Sequence, residues 1–206
     1  MKKLNILIPI VLLFIGGCSS SKITTSWKAK NTLPQQFNEI MVIGVIRETD
    51  RSIQKKMEGH IIGDLKALGY NALSSLNEFG PNAFKKGDTA AALLKLKESN
   101  VDAVLTIVLL DKEKEQQYVA SSYNNRFNNY RYDMYQRIFE PGYYVTNTKY
   151  FWESNLYNLK TKQLIYSVQT QSFNPDDTET LAHEYGKLIV KNMLKEQVLK
   201  NLSAIK

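Results

Sequence analysis

The residue with the clearest chemistry in this sequence is Cys18, the only cysteine among 206 residues. A cysteine thiolate is a nucleophile that can attack a lipid donor and form a stable thioether. Because no second cysteine is present, an intrachain disulfide is excluded and the fold must be held by its apolar core. The thiol at position 18 therefore needs another role, and the residues before it indicate one.

The segment before Cys18 has the layout of an export signal. Two lysines follow Met1, an apolar stretch covers residues 4–15, and two glycines precede the cysteine. The alternative is a transmembrane anchor, which needs about 20 apolar residues. The stretch here is shorter and is interrupted by an asparagine and a proline. We therefore predict a cleaved signal peptide over residues 1–17.

The four residues Ile15-Gly16-Gly17-Cys18 resemble a lipobox, in which an apolar residue and two small residues precede an invariant cysteine. The resemblance implies cleavage between Gly17 and Cys18 and attachment of several acyl chains, palmitate among them, to Cys18. One chain gives only marginal membrane binding, whereas two or three make the attachment effectively permanent. An export signal that ends in an incidental cysteine is the alternative.

The residues after the cysteine bear on location. Serines occupy positions 19–21, where the acidic residue that often retains lipoproteins at the inner membrane is absent, and no acidic run follows. The lipoprotein resemblance therefore implies a lipid-anchored protein of the cell envelope, at the outer membrane and facing the periplasm.

The charge balance is mildly basic. The chain has 27 basic and 20 acidic residues, for a formal net charge of +7, and loss of Lys2 and Lys3 with the signal peptide would lower it to +5. A spread excess of this size is usually a solubility feature. Nucleic acid is excluded as a partner because it conflicts with the export signal.

Aromatic and arginine residues concentrate in residues 118–157, which hold nine of the twelve tyrosines and three of the five arginines. The central part, residues 120–143, is a long polar-aromatic insert. Such a mixture suits a surface that stacks on sugars, nucleobases or a protein partner, and we predict a binding role for it. The alternative is a mobile loop between half-buried strand tyrosines. The candidate binding residues are Tyr123, Arg126, Tyr130, Arg131, Tyr132, Tyr135 and Arg137.

Other patterns that could carry chemistry are weak. The sequence has no phosphate-binding loop and no nucleophile-elbow motif. His60 and His183 are the only histidines, and a metal site would require their two helices to meet. Glu48 with Asp50, and Asp111, end buried strands where open α/β sheets bind ligands, but such acids commonly cap helices or contact solvent. We therefore predict a non-enzyme with no catalytic residue, metal or cofactor.

The rest of the chain predicts one α/β domain over residues 39–206. A flexible tether over 18–38 would connect it to Cys18 and add an edge strand near residues 23–27. Apolar runs at 40–46 and 103–110 are typical of strands buried on both faces. The intervening helices give a β-α-β-α-β parallel core.

The C-terminal part predicts an antiparallel hairpin, with strands at 144–159 and 163–173, and a final helix packed on the sheet. Apolar spacings of three and four residues define the buried sides of the helices. Those positions are Ile53, Met57, Ile61, Leu65 and Leu68 in the first helix, Ala91, Leu94 and Val101 around the second, and Leu181, Tyr185, Leu188, Ile189 and Met193 in the last.

Several segments together resemble small bacterial envelope lipoproteins of the domain-of-unknown-function type. The segments are SWKA, FNEIMVIGVI, SNVDAVLTIVLL, YNLKTKQLIYSVQTQSF and the closing helix. In this chain Tyr166 stands where tryptophan would be usual. The fold is similar, more distantly, to the TolB amino-terminal domain and to curli-secretion lipoproteins. The resemblance implies a fold and a location, and no activity.

Three functions follow as hypotheses. The first is a membrane-anchored, non-enzymatic protein that presents its domain to an envelope protein partner or assembly, through the Tyr/Arg insert. The second is a lipoprotein that binds a glycan or a small ligand. The third is an enzyme that uses Glu48 or Asp111 at a strand end.

Overall fold

A mixed β-sheet organises the computed structural model, which describes residues 20–46, 51–81, 84, 89–119 and 142–205. Within these residues the strands are β1 (Ser21–Lys28), β2 (Glu39–Val45), β3 (Asn71–Ser74), β4 (Ala103–Val119), β5 (Tyr143–Asn158) and β6 (Gln163–Phe173). The helices are α1 (Arg51–Ala67), α2 (Ser75–Phe79), α3 (Thr89–Glu98) and α4 (Thr178–Lys195), followed by a 3-10 turn at Ser203–Ile205.

The described strands form one six-stranded sheet in the order β1-β6-β5-β4-β2-β3. β2 pairs in parallel with both β3 and β4, whereas β4, β5, β6 and β1 pair antiparallel in sequence. The predicted α/β class, its parallel core and its antiparallel extension are therefore confirmed. The strand order adds that β2 lies between β3 and β4, so the buried apolar run of β2 has a neighbour on each side.

Helix α1 follows the predicted apolar spacing. Ile53, Met57, Ile61 and Leu65 are at most 5% exposed. The helix ends where Tyr70 N donates to Leu65 O and Gly69 N donates to Lys66 O, the pair of hydrogen bonds of a Schellman motif. Gly69 has φ of 92°, which only glycine adopts at little cost, so this residue ends the helix as its C′ glycine.

Helices α1 and α4 cover one face of the sheet. The core on this face centres on Trp152 of β5, whose ring lies 5.6 Å from the ring of Tyr185 in α4. The Tyr185 hydroxyl lies 2.7 Å from Ser154 Oγ, so the buried phenol has a polar partner. Burial raises the pKa of Tyr185, which is therefore a neutral core residue.

Helix α4 begins at a polar cap. The side chain of Asp177 accepts a 2.7 Å hydrogen bond from Thr180 N, and this bond lowers the pKa of Asp177. Leu181, Ile189 and Met193 are fully buried, as the apolar stripe predicts.

Helix α3 packs on the opposite face, against Met41, Ile43 and Val104. One expectation about this helix is wrong. Leu94, predicted to face inward, is 57% exposed, whereas Leu96 is 8% exposed. Leu96 and Val101 fill the small apolar area that these strand residues offer, and Leu94 lies on the other side of the helix.

Two segment boundaries also differ from expectation. The sequence predicts a short strand over residues 70–76, whereas β3 covers Asn71–Ser74, because Ser74 caps α2 by accepting a hydrogen bond from Asn77 N at 3.2 Å. The predicted edge strand near residues 23–27 is confirmed as β1, but it pairs with β6 from Ser21 onward and so begins almost at the first described residue of the predicted tether.

Candidate interaction site

Strands β4 and β5 run past the strands beside them. The pairing of β4 with β2 ends at Val108, and the pairing of β5 with β6 ends at Lys149. Beyond these points, residues 114–119 and 143–148 pair with each other, and no other described strand lies beside them. We call this two-stranded segment the arm. At about 3.4 Å per residue it is about 20 Å long.

The far end of the arm carries exposed aromatic rings. Tyr118, Tyr143 and Tyr144 are 52%, 64% and 68% exposed. Tyr118 and Tyr144 are directly opposite each other in the ladder, and their ring centroids lie 5.2 Å apart with the planes inclined at 58°. The pair is therefore an angular apolar projection rather than a flat stacking platform.

A glycine shapes the point where the chain enters β5. Gly142 N donates a 2.9 Å hydrogen bond to the Tyr118 hydroxyl. A Cβ at this position would lie 2.2 Å from Val119 O and 2.6 Å from Tyr118 Cζ. Any other residue would push the strands or the tyrosine ring apart, so Gly142 is part of the aromatic tip.

Side-chain contacts connect the base of the arm to the core. Glu115 accepts a 2.9 Å hydrogen bond from Lys149 Nζ across the ladder, and this bond raises the pKa of Lys149. Lys112 Nζ lies 5.2 Å from the ring centroid of Tyr150, which stacks on Trp152 at 5.9 Å and 12°. The arm is thus continuous with the most buried part of β5.

Among the described residues, no strand lies beside either outer edge of the arm. At the base of the arm Thr148 O accepts a 2.7 Å hydrogen bond from Asn174 N, so the edge offered to another strand lies between Thr148 and the tip. Such an edge is a template for an added strand. The alternating charges of Lys114 and Glu115 oppose indiscriminate pairing, because an unsuitable strand would place like charges together.

The residues predicted from the sequence to bind or to be modified lie outside the described residues. These are Gly17, Cys18, Tyr123, Arg126, Tyr130, Arg131, Tyr132, Tyr135 and Arg137. The structure does place the ends of the insert, because Val119 and Tyr143 face each other at the end of the arm. The insert therefore connects the two strands at the arm's far end.

The two histidines meet where α1 packs against α4. The ring centroids of His60 and His183 lie 5.3 Å apart, and His60 Nε2 lies 2.6 Å from Glu179 Oε1. The hydrogen bond to His60 lowers the pKa of Glu179. Within the described ranges, no group of three or more His, Cys, Asp or Glu residues is arranged to hold a metal ion.

The candidate acids do not form a site that the structure describes. Glu48 and Asp50 fall in residues 47–50, outside the described ranges. Asp111 is exposed beside a bulge in β4, and its carboxylate accepts a 2.8 Å hydrogen bond from Lys112 N. Asp111 thus contacts solvent and its own backbone.

A buried carboxylate that the sequence patterns did not single out lies at the carboxyl end of β2. Glu58 of α1 is fully buried and connects four elements. Its five donors are Gly44 N (2.9 Å), Gln54 Nε2 (3.0 Å), Ser74 Oγ (2.5 Å), Ser75 Oγ (3.1 Å) and Leu76 N (3.1 Å). Because protein donors surround both oxygens, the carboxylate stabilises the fold. Gly44, a glycine inside a buried strand, is the sequence signal for such a close approach.

Two surface clefts lie away from the arm's tip. One of ≈ 570 Å³ lies at the start of β1 and the start of α4, and is lined by Ser20, Lys22, Gln171, Phe173, Asn174, Asp176, Thr180 and Glu184. The other, of ≈ 620 Å³, is lined by Ser52, Lys55, Lys56, Gly59, His60 and Glu179. In the part of the chain that the structure describes, no helix has the length and apolar composition to cross a membrane.

Comparison with known proteins gives structural similarities only. No protein family and no curated protein sequence matches the chain. The structure is similar to the PelC dodecamer from Paraburkholderia phytofirmans, with 13% identity, a TM-score of 0.46 and coverage of 87% of this chain and 99% of that one.

Two further similar structures are named as lipoproteins. Lipoprotein GNA1162 from Neisseria meningitidis has 12% identity, a TM-score of 0.42 and coverage of 76% of this chain and 98% of that one. A minor lipoprotein from Acinetobacter baumannii has 8% identity, a TM-score of 0.30 and coverage of 75% and 94%. At these identities and TM-scores, the similarity assigns no activity or partner to this chain.

Proposed function

We propose that this chain is a lipid-anchored, non-enzymatic protein of the bacterial envelope whose arm binds a protein partner. The observation that carries the proposal is the extension of β4 and β5 beyond their neighbouring strands, which exposes a tyrosine pair and open strand edges. The proposed anchor is acylated Cys18, at the outer membrane and facing the periplasm. The Tyr/Arg insert would enlarge the binding surface at the far end of the arm.

The chemistry of the tip favours a protein over a glycan or a small ligand. Tyrosines supply large contact areas and lose little side-chain entropy on binding, and they are frequent energetic centres of protein interfaces. The 58° inclination between Tyr118 and Tyr144 leaves no flat surface for a sugar ring. The open edges add backbone hydrogen bonds that a second protein can satisfy with a strand.

The arm can be tested by removing its aromatic pair. Tyr118→Ser combined with Tyr144→Ser should weaken partner binding at least tenfold, because a buried interface tyrosine is commonly worth about 1–2 kcal/mol or more. Both rings are more than half exposed, so the domain should remain folded. Leu33→Ser is the matched control, since Leu33 is 76% exposed and lies outside the arm.

Photo-cross-linking in intact envelopes identifies the contact directly. A benzophenone amino acid at position 144 should give a discrete adduct with one protein, and the same amino acid at position 33 should not. Combining the position-144 probe with Tyr118→Ser should reduce the adduct. Equal adducts from positions 144 and 33, or unchanged binding by the double variant, would contradict a role for the arm.

The anchor is tested by mass analysis of the N-terminal peptide. An acylated peptide that begins at Cys18 is expected, and Cys18→Ser should abolish both processing and membrane retention. An unmodified Met1 or a free thiol at Cys18 in the mature protein would contradict the lipoprotein assignment.

A further inference from the structure

The start of β1 and the base of the arm lie at the same end of the sheet. Ser21 pairs with Ser172, Ser172 with Tyr150, and Tyr150 with Lys112. This row of four residues crosses β1, β6, β5 and β4. Traced backwards from Lys28 to Ser21, β1 runs in the direction in which β4 runs into the arm, because β1 is antiparallel to β6 and β6 runs parallel to β4.

Ser20 is fixed to the folded domain by three hydrogen bonds. Its backbone N and its hydroxyl both donate to Glu184 Oε2, at 2.9 and 2.7 Å, and its carbonyl accepts from Phe173 N at 2.8 Å. The Ser21 hydroxyl, one residue later, lies 2.7 Å from that of Ser172. The domain therefore holds the chain from Ser20 onward.

The covalent distance from this point to the proposed anchor is short. Ser19 is the only residue between Cys18 and Ser20. Two residue steps span at most about 7 Å, even when the chain is fully extended. The acyl chains of Cys18 start at the membrane surface, so the end of the sheet that holds Ser20 cannot move far from it.

We infer that the end of the sheet formed by Ser20, Lys22, Phe173 and Asp176, here called the anchor end, rests directly on the lipid headgroups. This inference depends on the proposed acylation of Cys18. The domain then has a fixed orientation on the bilayer and does not reorient on a long tether. The occupant of the anchor end, and of the ≈ 570 Å³ cleft that it lines, is the headgroup layer.

The side chains of the anchor end suit this surface. Phe173 is 46% exposed beside Ser20, and Lys22 is exposed on the edge strand β1. Aromatic rings are favoured at the membrane–water interface, and a lysine can place its ammonium among headgroup phosphates. Asp176 and Glu184, which line the same cleft, outweigh this cation, so the covalent anchor, rather than net charge, holds the surface in place.

The orientation limits which partner the arm can reach. The arm leaves the anchor end and extends about 20 Å. Its open backbone edges and its charged residues exclude it from the hydrocarbon core, where unpaired backbone groups are costly. The domain therefore contacts the headgroups at the β1 corner of the anchor end, with its strands inclined to the membrane so that the arm stays outside the hydrocarbon. The arm's partner is then a protein exposed at the surface of the same membrane.

Site-specific quenching tests the orientation. Acylated Cys18 has no free thiol, so an added cysteine is the only labelling site in the mature chain. Lys22→Cys and Asp176→Cys place a fluorophore at the anchor end. Thr161→Cys is the matched exposed control in the β5–β6 turn, about 27 Å away along β5.

The labelled, acylated proteins are reconstituted in vesicles of phosphatidylethanolamine and phosphatidylglycerol with nitroxide on the lipid headgroups. Labels at 22 and 176 should lose most of their fluorescence, and the label at 161 should keep it. A flexible Gly-Ser segment of about 16 residues, inserted between Ser19 and Ser20, gives about 22 Å of slack and should abolish this difference.

Flotation of the vesicles distinguishes failure of the Cys18 anchor from failure of the proposed orientation. Proteins that float with the vesicles but show equal quenching at 22 and 161, or none at 22, would overturn the orientation and leave the anchor intact. Proteins that do not float would contradict both the anchor and the orientation. Vesicle attachment that survives Cys18→Ser would also contradict the anchor.

Discussion

Replacing Glu58 by alanine is the sharpest test of how the parallel part of the sheet is held together. The carboxylate is fully buried and accepts hydrogen bonds from groups in β2, α1, β3 and α2. Alanine removes every acceptor and leaves Gly44 N and Leu76 N among the donors without their partner. Glu58→Ala therefore leaves a group of buried hydrogen-bond donors with no acceptor.

The magnitude follows from the number of donors left behind. An unsatisfied buried donor costs about 1–3 kcal/mol, and hydroxyls such as Ser74 Oγ can turn to other partners. The two backbone donors cannot turn, so we expect Glu58→Ala to lower the free energy of unfolding by about 3–5 kcal/mol. Glu58→Gln keeps one acceptor oxygen and should cost about 1–3 kcal/mol.

Urea unfolding of the chain from Ser19 onward, followed by circular dichroism, measures both variants against Lys55→Ala, an exposed position in the same helix. For a chain of this size, 3–5 kcal/mol corresponds to a fall in melting temperature of roughly 6–20 °C. The control should change stability by less than about 0.5 kcal/mol. A loss below about 1 kcal/mol for Glu58→Ala, or a larger loss for Gln than for Ala, would refute the reasoning.

Three further predictions concern α1 and its neighbours. Gly63→Ala should stabilise the protein by about 0.5–1 kcal/mol in urea unfolding, because a Cβ there meets nothing within 4 Å and alanine favours helix. Gly44→Ala should destabilise it by about 1–3 kcal/mol, because the Cβ would lie 2.7 Å from Gln54 Cγ; equal effects of the two changes would contradict the close approach. Burial raises the pKa of Asp64 above 3.8, so the folded state binds its proton more tightly than the unfolded state, and this stabilisation is lost as pH rises through the folded pKa. Asp64→Asn removes the titrating group, so its gain in melting temperature over the unmodified protein should be larger at pH 7 than at pH 4. A gain that shrinks as the pH rises would contradict this sign.

The elements predicted correctly are those whose sequence period matched their burial. The continuous apolar run of β2 predicts a strand buried on both faces. The three-and-four spacing of α1 predicts a helix buried along one side, and neither pattern fits another element as well. The predicted burial of Leu94 was wrong because α3 covers only a small apolar area and its sequence has leucines on both sides of the helix. Which leucine is buried depends on Met41 and Ile43 across the interface, and no local pattern contains that information.

The candidate interaction site was predictable only in part. The sequence marked the tyrosine-rich stretch, and the charges that alternate from Lys112 to Gln117 are typical of a strand that leaves the core for solvent. The length of the arm depends on where β2 and β6 stop pairing, at Val108 and Lys149. That is a property of register between distant segments. The attachment of Ser20 was not predictable either, since polar residues near an N-terminus are typical of a tether until a particular partner such as Glu184 is known.

The contacts within the arm contribute little to its own stability. Ordering each residue costs about 1–2 kcal/mol of conformational entropy, and an isolated two-stranded hairpin is marginal at best in water. The Tyr118–Tyr144 contact and the Lys149–Glu115 pair add little stabilising free energy, because both are exposed. The stacking of Tyr150 on Trp152 holds only the base. A partner that added a strand or covered the tyrosines would supply further stabilisation, so binding of the partner and ordering of the arm would be coupled. Anchoring at the membrane would also raise the local concentration of a partner in that membrane.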